Sequence, residues 1–245
     1  MFDLVQTSEA ALVAFAISLI PALAWLVFWL LEDLKKPEPR LLLLFAFLSG
    51  MLAVLLVLPF QAFAIRILPP GVPLLAVWAA TEELMILLMA WVSVLRHRAV
   101  DEPIDLPIYL ITVALGFSAL ENAFFLFGSV VDGNFTSSVI TGDLRFIGAT
   151  LIHVLSSSVI GGSLALVYYR ERSQKIIYGT AGVILAITLH TTFNSLILHT
   201  GAGGILMVFM GVWMGIVFLL LALERVKRVE RPEWWQKTFM KRTSN

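Results

Sequence analysis

Seven stretches of this chain, near residues 9–31, 41–65, 73–95, 107–131, 143–169, 176–199 and 203–224, are long and apolar enough to cross a bilayer. A hydrocarbon core of ~30 Å takes about 20 helical residues, and inside it every backbone amide must find its partner within its own helix or around a closed barrel. Runs this long and this uniformly apolar select helices. The expected fold is therefore all-α, a polytopic membrane helical bundle of about seven transmembrane helices. Composition agrees, with 59% hydrophobic and only 14% charged residues, and the absence of cysteine excludes disulfides, thiol nucleophiles and cysteine-ligated metals.

The polar breaks between the spans orient the bundle. All but two of the 17 Lys and Arg residues, Arg66 and Arg145, fall on one side of a seven-span arrangement. The excess of positive charge in cytoplasmic loops then sets the N-terminus outside and the C-terminus in the cytoplasm. The first span lacks a basic segment before it and is followed by Lys35 and Lys36, so it reads as a retained signal-anchor. Residues 1–224 form one transmembrane domain on this reading. Residues 225–245, with Trp234, Trp235 and Phe239 among basic side chains, form an interfacial cytoplasmic tail. Gly161–Gly162, Gly179, Gly182 and the pair Gly211 and Gly215 mark expected close helix packing. Such a chain belongs in the lipid bilayer, with the cell membrane as its expected location and no nucleic-acid partner.

Against this apolar background stand Glu82 and Glu83, Glu121 and Asn122, His153, and His190 with Asn194. Glu83, Glu121, His153 and His190 each lie about ten residues from the non-cytoplasmic end of their span, ~15 Å deep at 1.5 Å per residue. All four can meet in one layer near mid-membrane. His190 and Asn194 share a helix face, as do Ser118 and Asn122, while Glu82 and Glu83 point about 100° apart and so take different roles. A single intramembrane histidine is more often an interhelical hydrogen-bonding residue than a catalyst. The three acids together would cost ~8–10 kcal/mol if left uncompensated, so pairing, protonation, water or a metal must offset them. His97 and His199 sit at helix ends and read as solvated. Ser157 shares the face of His153, but no serine-hydrolase context surrounds it. Arg145, above His153 on the same span, is expected to guard the entrance or pair with Asp143 or Asp132.

The block ALGFSALENAFF at residues 114–125, preceded by Glu82–Glu83 and followed by His153 and the H-x-x-x-N element His190–Asn194, resembles the PrsW family of intramembrane proteases, relatives of the CAAX-prenyl endopeptidases. The resemblance covers about residues 75–199. It implies cleavage of membrane-anchored protein substrates such as anti-sigma factors, with the Glu pair and the histidines as the catalytic set. Family members commonly carry a basic residue three or four positions after the Glu pair, where this chain has Ile86 and Leu87.

Two mechanisms fit these residue types. With zinc as cofactor, His153, His190 and Glu121 or Glu83 would hold the ion and another Glu would serve as general base. In a glutamic mechanism without cofactor, buried Glu82 or Glu83 activates water while His153, His190 and Asn194 orient it and stabilise the oxyanion, with Asn122 in support. The second is slightly preferred, because no partner that would orient the two histidines is visible in sequence. The alternatives are a non-catalytic multi-span scaffold, resembling the related subunit of gamma-secretase, and, third, a proton-coupled transporter. A retinal protein is excluded, since the seventh span holds no Lys for a Schiff base.

Overall fold

A computed structural model describes residues 2–31, 37–131, 148–200 and 202–233. Lys35, Lys36, Asp132, Asp143, Arg145 and the tail aromatics Trp234, Trp235 and Phe239 lie outside the described residues. Within them the chain is all-helical: α1 (Phe2–Leu31), α2 (Arg40–Ile67), α3 (Val72–Ala90, running on as a π turn Trp91–Leu95), α4 (Asp105–Val131), α5 (Thr150–Leu166), α6 (Arg172–His199) and α7 (Ala202–Val226). Six of these are long and apolar enough to span a membrane, and α5, at 17 residues, is shorter over its described part. Gly71, with φ +140°, lets the chain turn from the Pro69–Pro70 corner directly into α3.

The helix that carries ALGFSALENAFF is the centre of the bundle. In α4, 72% of the span is buried, against 17% for the outer helices α1 and α7. It packs on α1, α2 and α5, while α5 packs on α6 and α7, and α3 bridges α2 to α6. Its first turn is held by polar contacts at the bundle end. Asp105 Oδ2 accepts the backbone N–H groups of Asp101 and Glu102 at 2.8 and 2.7 Å, and Tyr109 donates to the Glu38 carboxylate. An acid in the first turn also suits the positive end of the helix dipole.

Two glycines decide how close α2 and α4 come. A methyl group added at Gly50 would sit 1.9 Å from the carbonyl oxygen of Val113, and one at Gly116 would sit 1.9 Å from that of Phe47. The crossing is reciprocal, each glycine receiving the other helix's backbone. Neither was among the glycines marked for packing from sequence. Of those, Gly161 approaches Pro107 closely, Gly182 approaches Ser163, and Gly215 approaches Leu155, whereas Gly162 and Gly211 face open space.

At the end of α7, Arg231 reaches back to the loop before α4, 3.1 Å from Glu102 Oε1 and 3.6 Å from Asp101 Oδ1. Exposed pairs of this kind contribute little. Arg231→Ala is expected to cost under ~1 kcal/mol and the difference to shrink at high salt, which thermal unfolding at two ionic strengths checks.

Candidate active site

Glutamates from α3 and α4 meet histidines from α5 and α6 at one point in the bundle. Glu83 is fully buried, and its Oε1 lies 2.8 Å from His190 Nδ1 and 3.6 Å from His153 Nδ1. When an ionised Glu83 accepts the Nδ1–H of His190, the ring presents Nε2 on its other edge. That Nε2 faces Glu82 Oε2 at 3.4 Å, and His153 Nε2 faces Glu121 Oε2 at 3.5 Å. The two imidazoles meet edge to face, centroids 4.7 Å apart, and Phe117 of the central helix closes over His153 at 5.0 Å. Adjacent acids on α3 thus diverge as a 100° helical step requires: Glu83 toward one ring edge, Glu82 toward the other.

These groups border a cavity of about 450 Å³ whose wall includes Glu82, Glu121, His153, His190 and Asn194, set among Val54, Val57, Trp78, Phe124 and Leu198. Glu83 lies behind the wall, not on it. Asn122 is turned away from the chemistry, donating to Thr150 Oγ1 at 3.0 Å and so tying α4 to α5. Ser157 is buried but not on the cavity wall, and His97 and His199 are exposed. Where a basic residue was noted as missing, Ile86 is fully buried in the core.

Gln61 of α2 is the residue that reading the sequence missed. Its Nε2 donates to Glu82 Oε1 at 2.6 Å, and it shares the cavity wall. The available signal was a carboxamide inside the apolar run LLVLPFQAFAI. It lies only six residues from the end of α2, however, outside the layer that depth alone picked out.

The donor set suits a metal. Glu82, His153 and His190 each offer one ligand atom within 4.8 Å of the others, the one such group among the described residues. Zinc with N and O donors at about 2.0–2.2 Å sets them roughly 3.4 Å apart, a spacing that His190 Nε2 and Glu82 Oε2 already have. The acid in this three-residue group is Glu82, whereas the set read from sequence joined the histidines with Glu121 or Glu83. Among the described residues, Glu83 Oε2 and His153 Nδ1 are two of the buried side-chain atoms with no hydrogen-bond partner.

Residues 38–222 match the PrsW family of intramembrane metalloproteases. The chain belongs to that family. It is similar to Protease PrsW of Geobacillus kaustophilus, 27% identical over 220 residues and covering 87% of this chain and 92% of that relative. It is also similar to Protease PrsW of Shouchella clausii, 24% identical over 217 residues, 87% of this chain and 95% of the relative. No solved structure matches. This PrsW-family chain is an intramembrane peptidase and an integral protein of the cell membrane, with a membrane protein as substrate. The match begins in the loop before α2, so it takes in Gln61 as well as the four helices that carry the acids and histidines.

Proposed function

We propose that the chain hydrolyses a peptide bond within or beside a membrane span of its substrate, with Glu82, His153 and His190 holding zinc and Glu121 as general base. The observation that carries this is Glu83. Its Oε1 stands against Nδ1 of both imidazoles, at 2.8 and 3.6 Å, which is the carboxylate partner that orients metal-ligating histidines. Sequence alone favoured the glutamic route because no such partner was visible. When bound, zinc supplies Lewis acidity, drawing the pKa of water down to about 7 and polarising the scissile carbonyl.

The remaining steps belong to the chain's own side chains. Glu121 takes the proton of the attacking water at Oε2 and returns it to the leaving amine. Asn194, one turn beyond His190 on the same face and on the cavity wall, offers its amide N–H groups to the developing oxyanion. The apolar wall keeps bulk water out, and the substrate enters with its backbone extended, because a helix offers no free carbonyl to attack.

We infer the orientation read from sequence, with the C-terminus cytoplasmic. It is supported by the Arg231 contacts and by Tyr168 donating to the Val100 carbonyl at 2.8 Å, which gather the basic ends of α3, α5 and α7 at one face.

The deciding experiment is cleavage of a reconstituted single-span substrate by the wild type with and without chelator, and by Glu83→Gln and His190→Ala. Both variants are expected to lose cleavage while keeping their melting temperature, and chelation is expected to abolish it reversibly on zinc addition. Full activity under chelation would select the glutamic route. Variants that cleave like the wild type, or that only unfold, would return the site to a packing role.

A further inference from the structure

We propose that Gln61 is a positioning residue of the active site, acting through Glu82. The inference rests on the reading of Glu82 as a working carboxylate, and it adds a helix outside the four that bear the acids and histidines. Glu82 has two oxygens with different neighbours: Oε1 accepts from Gln61 Nε2 at 2.6 Å, and Oε2 faces His190 Nε2 at 3.4 Å. Carboxylate torsions of Glu are broad, so a side chain with one oxygen unanchored samples many orientations. Anchoring Oε1 from α2 leaves Oε2 as the oxygen presented to the histidines.

The residue type fits that task. A cation at position 61 would form an ion pair with Glu82 and lower its ability to act as ligand or base, whereas a carboxamide donates without adding charge. A neutral amide in an apolar membrane helix is costly unless bonded, and Gln61 spends its amide on Glu82. Its neighbours on α2, including Phe60, Phe63 and Ile65, are exposed and apolar, as expected of a lipid-facing surface. Gln61 itself is half-buried and turned to the cavity.

Two substitutions separate positioning from packing. Gln61→Met keeps the length and removes the donor, and Gln61→His restores an N–H at about the same reach. Relative to wild type, Gln61→Met is expected to lower kcat about 10- to 100-fold with KM changed less than about twofold. It is expected to weaken zinc retention, read by chelator competition on the purified protein, by a similar factor. Gln61→His is expected to recover most of both. Unchanged kcat and zinc retention in Gln61→Met overturns the proposal. So does a loss confined to KM or to melting temperature, or a Gln61→His protein as impaired as Gln61→Met at a temperature where both remain folded. A wild type that fails to cleave overturns the protease reading, while zinc retention in the Gln61 variants still decides the role of Gln61. A wild type that cleaves without zinc leaves kcat to decide it.

Discussion

Glu121→Gln is expected to lower kcat about 100- to 10,000-fold, with KM little changed and zinc still retained by the purified protein. Glutamine preserves size and some hydrogen bonding but cannot take a proton. Glu121 differs from the other acids in its surroundings: 19% of its side chain is exposed at the cavity, and His153 Nε2 stands 3.5 Å from its Oε2. Glu82, at 8%, stands with both histidines in the donor set. Glu82→Gln is therefore expected to lose zinc together with activity, and Glu121→Gln to lose activity alone. Steady-state kinetics on the reconstituted substrate with chelator competition on each variant measures both. Equal zinc loss in the two variants would move Glu121 into the ligand set, and an active Glu121→Gln would remove it from the mechanism.

Gly116→Ala is expected to lower the melting temperature by roughly 5–10 °C, the upper end of overpacking costs for a chain of this size. Alanine favours a helix over glycine by up to ~1 kcal/mol, which works the other way. The contact decides the sign. A methyl at Gly116 would sit 1.9 Å from the Phe47 carbonyl oxygen, a rigid backbone atom, so α2 and α4 must separate. Gly50→Ala meets Val113 in the same way, and the double variant is expected to cost less than the sum, because the helices separate only once. Gly162→Ala, which faces open space, is expected to leave the midpoint unchanged or slightly raised. Separation also displaces Glu121, five residues further along α4, so kcat is expected to fall with stability in Gly116→Ala and not in Gly162→Ala. Thermal unfolding and cleavage rates of the four proteins check this, and a Gly116→Ala protein as stable as Gly162→Ala would overturn it.

The GF-x-x-x-EN block thus serves both helix packing and the cavity. Its glycine sets the distance between α2 and α4, its phenylalanine covers His153, its glutamate borders the cavity and its asparagine ties α4 to α5. Sequence showed the block as a place where an acid enters an apolar helix, and the packing shows why the residues around that acid take the forms they do.

What the sequence determined by itself was the class of fold and which polar residues could share one layer of it. Length and apolarity leave a lipid-embedded backbone no choice but helices, and a constant rise of 1.5 Å per residue turns position along a span into depth. Glu83, Glu121, His153 and His190 come together in the bundle, as their equal counts from the span ends allowed. Rotation of each helix about its axis and the choice of neighbours were decided only by the tertiary structure. Those depend on how ridges, glycines and side chains of distant segments fit together, and no local periodicity reports them in helices that are apolar on every side. Whether Glu82 or Glu83 faces the cavity, which carboxylate stands against both imidazoles, the contact of Gly50 with Gly116's helix, and the reach of Gln61 from α2 to Glu82 all lie on that side of the line.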